Sequence, residues 1–180
     1  MWLPILVSAV GVFILSSILH MLLPWHKNDF RGVANEDDLM AALRAQNLAP
    51  GDYMIPRAAT MAEMKTAEFC ARYERGPKAV FTILRPGKLS MGPALAKWFV
   101  YTLVVSAVAA LMAGPVLGAG ADIHPIFHIV GLGAWLGYAA ALWQGNIWYQ
   151  RSAATTLRST IDGLLYAIVT AAVFVWLWPH

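Results

Sequence analysis

Residues 2–25 read WLPILVSAVGVFILSSILHMLLPW, an apolar run without a single Asp, Glu, Lys or Arg. A helix needs about 20 such residues to cross a bilayer core, where backbone groups find no water to bond. The run predicts a membrane-spanning helix. It has no basic leader and outruns a signal-peptide core, so it reads as a retained helix rather than a cleaved one. Three further runs qualify: 93–117, with Lys97 near its start, 123–149, and 159–178, with Asp162 near its start.

Composition agrees with that count. Of 180 residues, 59% are hydrophobic and 13% charged, with mean hydropathy +0.57. A soluble domain carries about 25% charged residues. Half that charge excludes an ordinary cytosolic enzyme, a disordered chain and, despite a pI near 9.2, a nucleic-acid binder. The fold class expected is an all-α integral membrane protein: four transmembrane helices with a small α(+β) cytoplasmic segment, residues 26–92, between the first two. Its constant partner is then the lipid bilayer. Trp2, Trp25, Trp98, Trp148, Tyr149, Trp176 and Trp178 fall near span ends, as an interfacial aromatic belt would.

The basic residues give the orientation. Eleven of the 13 lie within 26–97, and Arg151 and Arg158 follow the third span. None lies between the second and third spans, before Trp2 or after Trp178. With four spans all 13 fall on one side, which the positive-inside rule makes cytoplasmic. Both termini are then periplasmic, and the expected location is a bacterial inner membrane.

Within 26–92, Asn35 before Glu36-Asp37-Asp38 reads as an N-cap with an acidic first turn. Pro50-Gly51 ends that helix. Residues 53–55 and 78–84 read as short strands, and Met61 to Arg75 as a second helix, with Met61, Met64, Phe69 and Tyr73 on its apolar side. So few elements bury little core by themselves. Cys70 is the only cysteine, which excludes an intrachain disulfide.

Ionisable residues inside spans are costly and mark functional positions by default. On the cytoplasmic side the candidate polar cluster comprises His20, His26, Asp29, Gln144, Asn146, Arg151, Arg158 and Asp162. Ser16, Ser17 and His20 share one helix face, and Thr155, Ser159, Asp162, Tyr166 and Thr170 form a polar stripe that should face inward. Asp162 is expected to meet His20, Arg158, Arg151 or the Gln144–Asn146 region. On the periplasmic side His124 and His128, spaced i, i+4, share a face and offer two metal ligands, with Asp122 or His180 as a third. Two ligands do not complete a site, and the spacing favours interfacial histidines. No cofactor is strongly implied. His124, His128, Gly131, Trp135, Tyr138, Leu142, Asn146 and Tyr149 form one stripe along the third span, with Gly133 and Gly137 opposite as a small-residue face for packing or for a neighbouring subunit.

No P-loop, dinucleotide fingerprint, nucleophile elbow or paired-cysteine motif is present. The reading this favours is a non-enzymatic accessory or assembly module in the bilayer, whose partner is itself or another membrane protein. The alternatives are an oligomeric transporter or channel subunit using Asp162 and His20, and a membrane enzyme or redox protein acting on a lipid or quinone-like molecule. In that last case His20, His26, Asp29 and Asp162 are the polar groups.

Overall fold

A computed structural model describes residues 1–179. It is mostly helical, with 66% of residues in helix. Four helices are long and apolar enough to cross a membrane: α1 (Trp2–Leu22), α4 (Gly92–Ala113), α5 (Ile123–Tyr149) and α6 (Ala153–Trp176). The chain forms two compact units, one of residues 1–31 and 90–180 and one of residues 32–89.

The smaller unit holds α2 (Glu36–Ala45), β1 (Gly51–Ile55), α3 (Ala67–Arg75) and β2 (Ala79–Ile83). The two strands pair antiparallel, with Tyr53 opposite Phe81 and their rings stacked. The expected helix from Met61 to Arg75 is instead a 3-10 turn at Glu63–Lys65 followed by α3. Thr66 divides them: its backbone is extended, and its hydroxyl accepts from the Phe69 amide as the cap of α3. Phe69 is buried whereas Met61 and Met64 are exposed. Asn35 precedes α2 without a capping side-chain bond.

In the larger unit, α1 packs on α4 and α6, and α5 packs on the same two. The span expected at 2–25 stops at Leu22. Its last turn, Ile18–Leu22, is a π turn, and Leu23 is extended because Pro24 bars the helical region to the residue before it. Helix α4 ends at Ala113 rather than 117. Helix α6 begins at Ala153 rather than 159, because Ser152 caps it by accepting from the Thr155 amide. Helix α5 covers the expected 123–149 but carries a π turn at Leu136–Ala140.

The long stripe expected on α5 is interrupted at Tyr138, within that π turn. The stripe assumed 100° per residue throughout, and a π turn inserts an extra residue. Tyr138 is buried, whereas His124, His128, Leu142 and Tyr149 are exposed.

Small and hydroxylated residues fill the interior. Ala9, Ala109, Ala113, Ala134 and Ala171 are fully buried, as are Ser8, Thr102, Ser106 and Thr170, and the Ser8 hydroxyl donates to Ser106 at 3.0 Å. Large apolar side chains such as Leu111, Leu132, Leu164 and Trp176 point outward. One end is closed by Ile126, Val130, Phe174 and Trp178. Trp178, expected in the interfacial belt, is buried and donates to the Gly118 carbonyl at 3.1 Å.

Glycines let the helices close. A Cβ built on Gly133 would stand 3.0 Å from Met112 Sδ, and one on Gly137 would stand 3.1 Å from Val105. The small-residue face of α5 is therefore occupied by α4. A Cβ on Gly163 would stand 2.7 Å from the Cβ of Ala139. Gly163→Ala forces α5 and α6 apart, an overpacking cost toward the upper end of about 1–3 kcal/mol that outweighs the roughly 1 kcal/mol of helix propensity gained. Thermal unfolding in detergent should show the loss. Gly118→Ala meets no atom within 4 Å and should leave the midpoint unchanged.

Candidate functional site

The break at Leu23 positions the site. After it, Pro24–His26 forms one 3-10 turn that folds the chain back against the end of α1. The His26 ring then stacks on His20, with centroids 4.1 Å apart and planes 14° from parallel. A further turn, closed by the Asp29 amide bonding to the His26 carbonyl at 3.0 Å, brings the Asp29 carboxylate to His26 Nδ1 at 2.6 Å.

Helix α6 supplies the other half. Arg158 Nε donates to Asp29 Oδ1 at 2.9 Å, and a second guanidinium nitrogen reaches the same oxygen. One turn on, Asp162 is 2% exposed. Its Oδ1 accepts from the Trp25 indole at 3.1 Å, and its Oδ2 lies 2.9 Å from His26 Nε2. That last pair lacks hydrogen-bond alignment, and neither atom has another partner among the described residues. His20 Nδ1 is 3.1 Å from the Ser16 carbonyl. His20, His26 and Asp162 each bring one ligand atom within 4.8 Å of the others, the one such metal-capable group among the described residues.

Burial pushes the Asp29 carboxyl up, but hydrogen bonds from His26 and Arg158, and their charges, outweigh it and hold it below the usual carboxylate range. Asp29 is thus ionised at neutral pH and accepts from His26 Nδ1.

Beside this chain of groups lies a largely apolar cavity of about 370 Å³, lined by all four long helices. His20 and Met21 reach it from the π turn of α1, Trp98 from α4, Tyr138 from the π turn of α5, and Asp162 and Tyr166 from α6. Trp98, Tyr138 and Tyr166 pack mutually, with centroids 5.4–6.1 Å apart. Trp98 is fixed by donating to Ser16 Oγ at 2.8 Å. The Tyr166 hydroxyl is buried without a partner. That of Tyr138 faces Ser106 and Thr170 without a hydrogen bond of full geometry to either.

The eight polar residues expected to cluster divide into two groups. His20, His26, Asp29, Arg158 and Asp162 come together. Gln144, Asn146 and Arg151 belong to the α5–α6 turn: Asn146 Nδ2 donates to the Arg151 carbonyl at 2.6 Å, the Arg151 side chain covers Gly145, and Gln144 is exposed. Arg158 pairs with Asp29 rather than with Asp162. Trp25 contributes a hydrogen bond that an interfacial role did not anticipate. Trp98, Tyr138 and Tyr166 carry no charge to single them out as cavity walls. His124 and His128 are exposed, their rings 6.4 Å apart, with His128 Nδ1 at 2.7 Å from the His124 carbonyl. His180 lies outside the described residues.

The half-buried Asp29–Arg158 pair should be energetically coupled. In a double-mutant cycle of Asp29→Asn and Arg158→Met, followed by reversible unfolding in mixed micelles, we expect a coupling of about 1–3 kcal/mol, the range for hydrogen bonds between charged groups. Additive effects would remove the pair from any role in holding His26. No family model, curated protein or solved structure matches the chain.

Proposed function

We propose that this is an integral membrane protein that binds an amphiphilic small molecule, a lipid or a quinone-like compound, with its polar head against His20, Asp162 and Tyr166. The observation that carries the reading is the 370 Å³ cavity, apolar over most of its wall yet lined by Asp162 and Tyr166, each of which carries a buried oxygen without a hydrogen-bond partner. An unsatisfied buried polar atom costs about 1–3 kcal/mol, which a ligand head group bonding there would recover. Apolar walls with a few convergent polar groups are what small-molecule sites use.

The membrane assignment is supported by the polarity of the packing. Many leucines, isoleucines and tryptophans face outward, Leu111, Leu132, Leu164 and Trp176 among them, while alanine and serine are prominent in the interior. Surface of that kind is costly in water and suits lipid, where helices associate through small residues and hydroxyl bonds. On this reading residues 26–92 and the site lie on the cytoplasmic side of a bacterial inner membrane, and the termini on the periplasmic side.

Two specific observations favour this over the other readings. A channel or transporter path would have to pass Ile126, Val130, Phe174 and Trp178, which close the opposite end. An assembly module using the Gly133–Gly137 face would compete with α4, which already occupies it.

Leu95 lines the cavity. Leu95→Trp should fill it and abolish stoichiometric co-purification of a lipid or quinone, read by mass spectrometry of the detergent-extracted protein. Equal recovery from both proteins would sink the reading. For orientation, in a Cys70→Ser background, cysteine at Gly118 should label with an impermeant reagent from the periplasm and cysteine at Ala58 should not. Outside labelling of Ala58 would invert the topology.

A further inference from the structure

We propose that His20, His26 and Asp162 bind a divalent transition-metal ion of the zinc class. The geometry of the three side chains leads there. A carbonyl oxygen only accepts, so His20 Nδ1, 3.1 Å from the Ser16 carbonyl, must carry its hydrogen. Asp29, held ionised by Arg158, likewise takes the hydrogen of His26 Nδ1 at 2.6 Å. With Nδ1 engaged in each ring, Nε2 is the nitrogen left to act as a ligand. His26 Nε2 and Asp162 Oδ2 stand 2.9 Å apart, buried, with no hydrogen bond between them and no other partner among the described residues. A cation seated there would take both atoms as ligands, with His20 as the third group in reach.

The distances suit such an ion. Zinc takes nitrogen and oxygen ligands at about 2.0–2.2 Å, so ligand atoms around a tetrahedral ion stand about 3.4 Å apart. His26 Nε2 and Asp162 Oδ2 stand 2.9 Å apart and all three groups lie within 4.8 Å, which brackets that edge; ligation by both rings requires the exposed His20 ring to turn out of its stack on His26. The supporting contacts are those of a metal centre. Asp29 orients His26 through its far nitrogen, Ser16 does the same for His20, and Trp25 occupies Asp162 Oδ1 and leaves Oδ2 free. Three protein ligands leave a fourth position, as open zinc sites do. His20 and Asp162 also line the cavity, so that position is accessible to a bound head group.

The experiment uses full-length protein carrying a histidine-free affinity tag, stripped with chelator in detergent and titrated with zinc alone and cobalt(II) alone. No amphiphile is added, so a failure here is separate from a failure of cavity binding. Metal analysis should give about one ion per chain, and cobalt the visible bands of a four-coordinate site. His20→Gln and Asp162→Asn should each abolish stoichiometric uptake, and Asp29→Asn should weaken it about 10–100-fold. His124→Gln/His128→Gln should bind as the parent does. Helical circular dichroism and monodisperse elution report folding. Should Asp162→Asn fail to fold, His20→Gln, at an exposed position on the last turn of α1, decides alone. No uptake by the parent protein, full uptake by folded His20→Gln, or loss in the His124/His128 variant would each overturn the assignment.

Discussion

The Asp162 carboxylate is the constraint around which the larger unit is organised. A nearly fully buried carboxylate is costly unless charge and hydrogen bonds meet it. Helix α6 brings it into the interior, and residues 23–29 meet it there. Pro24 stops α1, the 3-10 turn reverses the chain, and Trp25 and His26 are delivered together to the two carboxylate oxygens. Asp29 and Arg158 then close the loop from α1 back onto α6. Helix termination, loop direction and the contact between the first and last long helices all converge on one side chain.

Close helix approach is the second requirement, and it has a different physical origin. Helices that expose leucine and isoleucine to an apolar surrounding gain little by burying the same residues against each other. They gain by fitting backbones closely, which is why alanine, glycine and serine occupy the contacts. Gly163 follows Asp162 and lies against Ala139 in the π turn of α5, so the residue carrying the charge stands beside the tightest helix contact. The two π turns matter for the same reason. Each interrupts regular helix where the cavity needs a side chain, His20 on one and Tyr138 on the other, and the Gly137 carbonyl in the second accepts the Tyr101 hydroxyl at 2.5 Å. Extra-wide turns of this kind are frequent at functional positions.

The site joins groups of opposite character. Towards Arg158 it is a run of charged and polar groups in which Arg158 bonds Asp29, Asp29 bonds His26, and His26 Nε2 stands 2.9 Å from Asp162. Beyond Asp162 it opens onto aromatic and aliphatic walls. A molecule with a polar head and an apolar body matches that change of surroundings, and a cation between His26 and Asp162 would set the electrostatics of the boundary. Polarising an oxygen of the head group is the chemistry such an ion would supply.

Much of this was legible in the order of the amino acids. Four long apolar runs specify four long helices because each is too hydrophobic to be anything else, and the inward stripe of α6 follows from three- and four-residue spacing. The set His20, His26, Asp29 and Asp162 could be named from sequence because charged residues next to apolar runs are few. Pairing within the set could not. Arg158 was available to Asp162 by proximity along the helix, yet it bonds Asp29, because the turn after Pro24 places that carboxylate first. Gln144, Asn146 and Arg151 are equally polar and equally near in sequence, but they satisfy the backbone of their own turn. The stripe on α5 is interrupted at Tyr138, which lies in the π turn and is buried while His124, His128, Leu142 and Tyr149 on either side are exposed, and no local pattern marks that turn. The amino-acid order by itself determined which segments are helices and which polar residues lie near their ends, since hydrophobicity and periodicity are local properties. Tertiary structure alone decided which of those residues meet, that Trp98, Tyr138 and Tyr166 wall a cavity, and that the glycine face of α5 belongs to α4, because such contacts depend on how helices distant in sequence are rotated against each other.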